Sequence, residues 1–139
     1  MPQILIVDDN PGDIALMRQA IGEVGLQVDV QAAENAVQAF IFLRHKSGKS
    51  LPDVILLDHR MPVFDGVQML TILRESPNLR EIPVIVFTSS TREVDRIASM
   101  RAGAKCVKTK PPTWQEYVEL ARSLAAYLES GTQAKPSLS

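Results

Sequence analysis

The sequence predicts a doubly wound α/β domain of three layers, in which helices cover both faces of a parallel sheet. Three observations predict this architecture. Short apolar runs alternate five times with longer segments of helical period. Three of the runs are apolar throughout, which is typical of parallel strands buried on both faces. Each helical segment opens with a capping residue that an acid or amide follows three places later.

The predicted strands differ in strength along the chain. The first, third and fourth runs are apolar at every position, whereas the second alternates and the fifth is short and flanked by polar residues. We therefore expect the second and fifth strands at the edges of the sheet. The predicted strands are Ile4–Val7, Val28–Val30, Val54–Leu57, Val84–Phe87 and Cys106–Val107.

The predicted helices each have a recognisable start. Pro11 suits the first helical position because its missing N–H would be unpaired there in any case. Glycines at 25, 103 and 131 lie where helix C-terminal caps are expected. The capping pairs are Asn10/Asp13, Asn35/Gln38, Asp65/Gln68, Ser90/Glu93 and Thr113/Glu116.

One domain is expected to account for nearly the whole chain. The length of 139 residues and a hydrophobic content of 45% are enough for a single core. We expect the domain over residues 1–130 and a mobile C-terminal tail over residues 131–139, GTQAKPSLS.

Composition argues against several classes of function. Fifteen basic and sixteen acidic residues give a formal net charge of −1, which disfavours nucleic acid and acidic membrane surfaces as partners. The longest apolar runs fall far short of the ~20 residues that cross a bilayer. The first residues do not resemble a signal peptide, and the lone Cys106 allows neither an internal disulfide nor a zinc site. A cytoplasmic location is the expectation.

Polar residues follow four of the predicted strands. Asp8 and Asp9 end the first strand, Asp58 the third, Thr88 the fourth and Lys110 the fifth. Ligands of doubly wound sheets bind at the carboxyl ends of the strands, so these side chains are expected to converge on one rim.

This set of residue types is suited to phosphoryl transfer. Crowded carboxylates repel one another, and a hard divalent cation such as Mg²⁺ relieves that repulsion and bridges to phosphoryl oxygens. An ammonium group at Lys110 could neutralise the phosphoryl group from the other side, and Thr88 could donate a hydrogen bond to it. One aspartate would then act as the nucleophile.

Four motifs, in this order and spacing, resemble the receiver domain of two-component response regulators. They are ILIVDDNPGD, LLDHRMPVFDG, PVIVFTSS and GAKCVKTKP, and the match extends from Ile4 to about Leu128. The opening motif and the absence of an output domain are also similar to single-domain regulators that partner phytochrome-type histidine kinases. The resemblance implies a flavodoxin-like (βα)5 fold with strand order 2-1-3-4-5, and a cis peptide bond between Lys110 and Pro111.

The resemblance also implies the role of each strand-end residue in phosphorelay signalling. Asp58 would accept a phosphoryl group from a sensor histidine kinase, Lys110 would pair with that group, and Thr88 would be the switch hydroxyl. The protein would not be an enzyme, although it would assist its own phosphotransfer and dephosphorylation.

A Mg²⁺ ion is the cofactor that the resemblance implies. Asp9 would coordinate the ion directly and Asp8 through water. Asp58 and the backbone carbonyl of Arg60 would complete the protein's ligands. Arg60 would in addition either tune hydrolysis of the acyl phosphate or be merely solvated.

For other residues near these strand-end residues, the sequence gives simpler expectations. His59 is expected to face solvent in a loop rather than to take part in chemistry. Cys106 is expected to be a small buried apolar residue, and Trp114 to pack on the sheet.

One departure from the family pattern leaves a second class of function open. Receivers commonly have Tyr or Phe three residues before the lysine, where this chain has Val107. The chain could therefore be an interaction or scaffold module that keeps the fold and works without phosphate, for instance as a constitutive homodimer. A phosphatase or a flavin carrier is disfavoured because neither a D-x-D motif at a strand end nor a flavin-binding loop is present.

Overall fold

The computed structural model describes residues 2–59, 65–89 and 92–133, and strands and helices alternate in it as predicted. A short 3-10 turn at Gly48–Ser50 precedes the third strand. The strands are β1 (Gln3–Val7), β2 (Asp29–Ala33), β3 (Val54–Asp58), β4 (Val84–Thr88) and β5 (Cys106–Thr109). The helices are α1 (Pro11–Glu23), α2 (Ala36–Arg44), α3 (Gly66–Glu75), α4 (Glu93–Arg101) and α5 (Trp114–Gln133).

The five strands form one parallel sheet in the order β2-β1-β3-β4-β5. The predicted fold class and strand order are confirmed, and the two weak strands lie at the edges. The order reverses beside β1, because β2 lies on one side of it and β3 on the other. That reversal opens the crevice in which doubly wound sheets bind their ligands.

The sheet separates two hydrophobic cores. Strand side chains alternate between the faces, and β1, β3 and β4 bury both of their faces, which is why their sequences are apolar throughout. One core lies against α2 and α3 and includes Leu5, Val7, Ile55, Leu57, Val84 and Val86. The other lies against α1 and α5 and includes Ile4, Ile6, Val54, Leu56, Ile85 and Phe87.

Four of the predicted helix starts are confirmed by their caps. Asn10 and Asn35 accept hydrogen bonds from backbone N–H groups of the first turns of α1 and α2. Asp65 and Gln68 form a reciprocal capping box, with both hydrogen bonds at 2.9 Å. At α5 the Thr113 hydroxyl accepts from the backbone N–H of Glu116 at 3.2 Å.

The predicted start of α4 is wrong in position. The helix begins at Glu93 with Arg92 as its N-cap residue, and the Arg92 side chain makes no capping hydrogen bond. Ser90, the predicted cap, lies outside the described residues. An acidic first turn at Glu93 and Asp95 complements the helix dipole in place of a side-chain cap.

Two of the three predicted C-terminal glycines end helices. Gly25 and Gly103 have φ angles of 74° and 113° after α1 and α4, a region that favours glycine. Gly131 lies inside α5, which continues to Gln133 and so includes the first residues predicted as a tail. Residues 134–139 are outside the described part, and the boundary of the domain stays a prediction.

Two local expectations differ from the structure. Trp114 is 43% exposed in the first turn of α5 and does not pack on the sheet, because Tyr117 and Leu120 supply the buried face there. The Lys110–Pro111 peptide bond is trans, whereas the resemblance implied cis.

None of the helices within the described ranges combines the length and apolar content that crossing a bilayer requires.

Arg74 fixes the turns that surround α3. Its guanidinium donates to the carbonyl oxygens of Gly103 (2.7 and 3.1 Å), Arg80 (2.8 Å) and Ile82 (3.0 Å). A Cβ at position 103 would lie 2.6 Å from the Arg74 Nε, so this turn needs glycine for space as well as for its φ angle. Burial lowers the pKa of Arg74, although the nearby Glu81 partly opposes this. The guanidinium thus ties the segment that leads into β4 and the turn that precedes β5 to α3.

We expect Arg74→Met to reduce the free energy of unfolding by about 2–4 kcal/mol, because it leaves partly buried carbonyl groups without donors. Urea unfolding followed by circular dichroism measures the change. Arg18→Met is the matched control, since Arg18 makes one exposed hydrogen bond to the Val30 carbonyl at 3.0 Å and its loss should cost less than ~0.5 kcal/mol. Equal losses in the two variants would contradict this account of Arg74.

Candidate functional site: the carboxyl edge of the sheet

The residues at the carboxyl edge are held by the hydrogen bonds that continue the sheet. The backbone N–H of Asp8 donates to the Ala33 carbonyl of β2 at 3.0 Å. The backbone N–H of Lys110 donates to the Thr88 carbonyl of β4 at 2.8 Å. The side chains that follow β1 and β5 therefore start from backbone that the neighbouring strands fix.

Three of the predicted site residues form a compact carboxylate cluster. Asp8, Asp9 and Asp58 each offer an oxygen, and these oxygens all lie within 4.8 Å of one another. Asp8 and Asp58 are only 6% and 5% exposed, whereas Asp9 is exposed. Such spacing of hard oxygen donors, open to solvent at one side, fits a divalent cation that keeps several water ligands.

Lys110 reaches this cluster from the end of β5. Its Nζ lies 3.2 Å from an Asp8 oxygen and 3.5 Å from an Asp58 oxygen. The same ammonium donates to Asp13 at 2.6 Å, its shortest contact. The side chains predicted to converge from the first, third and fifth strands therefore do so in the structure.

The surroundings keep Lys110 charged. Burial of its side chain lowers the pKa of the ammonium. The hydrogen bond to Asp13 and the charges of Asp58 and Asp8 raise that pKa, and together they outweigh burial. The pKa of Lys110 therefore lies above its ordinary value, and a fixed positive charge remains beside the carboxylates at physiological pH.

Asp13 is the site residue that sequence reasoning missed. Its predicted role was to complete the capping box of α1, but the backbone N–H of Asn10, which a capping box would use, donates to Asp8 at 2.9 Å instead. The Asp13 carboxylate turns to Lys110. Its place in the first turn of a helix that starts at the ligand-binding edge is the signal that could have identified it.

The remaining predicted site residues stand as follows. Thr88 is 4% exposed at the end of β4, between the strands that carry Asp58 and Lys110. Arg60, predicted as a metal ligand through its carbonyl, lies outside the described residues. Val107 is partly buried against the core on the α2 and α3 side, so it is part of the packing of the sheet.

The prediction that His59 faces solvent is wrong. Its side chain is 13% exposed, with Nε2 3.8 Å from an Asp95 oxygen and Nδ1 3.4 Å from the Ser99 hydroxyl. Both partners belong to α4, and Ser99 is the buried residue of that helix. The residue after Asp58 therefore connects the end of β3 to α4, a contact between elements remote in sequence that a local pattern does not reveal.

Gly66 lets the first turn of α3 lie against the backbone of Asp58 and His59. Its backbone N–H donates to the His59 carbonyl at 3.0 Å. A Cβ at this position would lie 3.0 Å from the His59 Cα and 3.1 Å from the Asp58 carbonyl oxygen, which is tighter than ordinary contact. The absence of a side chain at position 66 thus preserves the backbone geometry of Asp58.

Comparison with known proteins identifies relatives along almost the whole chain. The response regulator receiver domain family matches residues 4–122. The chain is 27% identical to the response regulator Rcp1 of Synechocystis over 127 residues, which cover 89% of this chain and 86% of Rcp1. It is 36% identical over 125 residues to the transcriptional regulatory protein AruR of Pseudomonas aeruginosa, covering 89% of this chain but 49% of AruR.

Solved structures agree with these matches. The Mn²⁺-bound form of Rcp1 superposes with a TM-score of 0.80 at 27% identity, covering 94% of this chain and 96% of Rcp1. The phosphorylated cyanobacterial phytochrome response regulator RcpA superposes with a TM-score of 0.82 at 27% identity, covering 95% of this chain and 96% of RcpA. Together with the carboxylate cluster and Lys110 at the edge of a 2-1-3-4-5 sheet, these matches establish that the chain belongs to the response regulator receiver domain family of two-component signalling.

Proposed function

We propose that this receiver domain accepts a phosphoryl group on Asp58 from the phosphohistidine of a sensor histidine kinase. One observation supports the proposal above the others. The Lys110 ammonium lies 3.5 Å from Asp58, and the Asp58 carboxylate lies in a cluster with Asp8 and Asp9. A nucleophilic carboxylate, a fixed cation and a set of cation ligands are the parts that phosphoryl transfer requires.

The carboxylate cluster would hold Mg²⁺. Asp9 is exposed and suited to direct coordination, Asp8 would act through water, and Asp58 and the Arg60 carbonyl would supply further oxygens. When bound, the ion would neutralise the carboxylates and the charge that develops on the phosphoryl oxygens. The Mn²⁺-bound Rcp1 structure is a precedent for a divalent cation in a relative.

The chemical step would be a displacement at phosphorus. An oxygen of Asp58 attacks, a new O–P bond forms and the N–P bond to the donor histidine breaks. The electron pair of that bond leaves with the imidazole nitrogen. A ring that already carries a proton on its other nitrogen leaves as neutral imidazole, and a ring without that proton takes one from solvent. Lys110 would pair with the transferred group, and Thr88, buried at the end of β4, would donate its hydroxyl hydrogen bond to it.

The partner would be a kinase that carries a phosphohistidine. The likeness to RcpA, a phytochrome response regulator, supports a phytochrome-like kinase as that partner. The donor histidine would draw its phosphoryl group from ATP, so the exchange is proposed for the cytoplasm. Nucleic acid is not a proposed partner, because the net charge of −1 offers no general attraction to phosphate backbones.

Incubation with Mg²⁺ and acetyl phosphate should add one phosphoryl group, detected by mass spectrometry of the intact protein. Asp58→Asn should abolish the addition because the amide is not a nucleophile of this kind. Asp65→Asn is the matched control, since Asn also caps helices well and the added mass should persist. An unmodified wild-type protein would instead favour the phosphate-independent scaffold.

The oligomeric state measured in the same samples separates the two functions further. A signalling receiver should change its association with itself or with its partner when Asp58 is phosphorylated. A scaffold should keep the same association in wild type and in Asp58→Ala. Size-exclusion chromatography with light scattering, with and without acetyl phosphate, makes this comparison.

Asp9→Asn should weaken Mg²⁺ binding on the order of tenfold or more, because the variant loses one formal charge next to the cation. The unfolding midpoint should change little, since Asp9 is exposed. Isothermal titration calorimetry measures the affinity, and Asp65→Asn again serves as the control. Equal Mg²⁺ affinity in wild type and Asp9→Asn would remove Asp9 from the proposed ligands.

A further inference from the structure

We infer that Asp13 is a positioning residue that draws the Lys110 ammonium toward α1, so that the lysine keeps a weaker hydrogen bond to Asp8 and only a longer contact to Asp58 until a phosphoryl group replaces Asp13 as its main partner. The inference rests on the proposed function, since it concerns the same site. It adds a fourth carboxylate, outside the cation-binding cluster, that competes for the lysine.

The distances favour Asp13 as the main partner of Lys110. The Lys110 Nζ lies 2.6 Å from Asp13, compared with 3.2 Å from Asp8 and 3.5 Å from Asp58. A separation of 2.6 Å is short even for a charge-assisted hydrogen bond, whereas 3.5 Å is beyond the usual range. The ammonium is therefore drawn toward α1 and away from Asp58.

The Asp13 carboxylate is available to Lys110 because it does not serve as a cap within α1. Asp8 already accepts from the backbone N–H of Asn10, the group that Asp13 would serve in a capping box. Asn10 itself caps the first turn through Gly12 and the Asp13 backbone N–H. The Asp13 carboxylate is thus not needed as a cap, and its charge is directed to Lys110.

The cleft around the pair makes the interaction stronger than that of an exposed ion pair. Asp13 and Lys110 lie in a narrow cleft between α1 and α5, and Met17, Pro111 and Tyr117 also line it. Burial, together with the Asp13 charge, raises the pKa of the Tyr117 phenol, so this wall of the cleft stays neutral. The side chains of Asp13 and Lys110 are only 23% and 20% exposed. Partial exclusion of water reduces the screening of their attraction.

Removing the Asp13 charge should change the affinities of the site for Mg²⁺ and for a phosphoryl-like anion in opposite directions. Without that charge Lys110 shifts to Asp8 and Asp58, where it competes with Mg²⁺, so the cation binds less tightly. An anion that mimics the phosphoryl group binds more tightly at saturating Mg²⁺, because Lys110 no longer has to leave Asp13 to meet it and one nearby negative charge is gone. If Asp13 had only a structural role, its substitution would lower the affinity for both ligands.

The experiment measures both affinities in the full chain. Mg²⁺ alone is titrated by calorimetry, and beryllofluoride, a mimic of the phosphoryl group, is titrated at saturating Mg²⁺. Asp13→Asn is compared with wild type and with Glu116→Gln, which likewise removes an acidic charge from the third residue of a helix, α5. Unfolding midpoints confirm that each variant is folded.

A double-mutant cycle tests whether Asp13 acts through the lysine. Mg²⁺ affinity is measured for Lys110→Met with and without Asp13→Asn. If Lys110 transmits the effect, Asp13→Asn should change Mg²⁺ affinity much less in the Lys110→Met background than in wild type.

We expect Asp13→Asn to weaken Mg²⁺ and strengthen beryllofluoride binding, each by about threefold to tenfold, the range for one partly exposed ion pair. Glu116→Gln should change neither. Three outcomes would overturn the inference while leaving the proposed function intact. Asp13→Asn could lower both affinities, or it could change neither. It could also change the Mg²⁺ affinity as much in the Lys110→Met background as in wild type. A wild-type protein that binds neither Mg²⁺ nor beryllofluoride overturns both.

Discussion

The balance between clustered carboxylates and one ammonium group governs the carboxyl edge of this protein. Asp8 and Asp58 are almost fully buried, and buried charges of one sign are costly unless a counter-charge lies beside them. Lys110 supplies such a charge beside both carboxylates, and these contacts raise its pKa. The balance requires β1, β3 and β5 to end at the same rim, so the site depends on the strand order of the whole sheet.

The strands and the convergence of their ends were predictable, because both follow from physics that acts locally along the chain. A run such as Val54–Leu57 is apolar at every position only if both faces are covered, and a residue that follows a parallel strand must lie at its carboxyl end. Strand order came from the resemblance to a family, since local patterns do not encode which strands pair. The same resemblance implied a cis bond before Pro111, which is trans in the structure.

Two of the errors, at Asp13 and His59, have one cause in common: each side chain contacts a partner that is distant in sequence. Asp13 had a plausible local partner in Asn10 but contacts Lys110, 97 residues away. The His59 imidazole contacts Asp95 and Ser99 of α4. Trp114 is a different case, because Tyr117, three residues later, is the aromatic residue that is buried at the start of α5. Local periodicity and capping rules rank local partners well, and they carry no information about these long-range competitors.

The anchoring of Lys110 determines how easily it can change partners. Its backbone is pinned to β4 by the hydrogen bond to Thr88, so the four-carbon stem is the part left to swing. Rotations about side-chain bonds are far faster than movements of loops or strands. Exchange of the ammonium among nearby oxygens therefore requires no backbone rearrangement, and the charge can follow an arriving anion without delaying the chemistry.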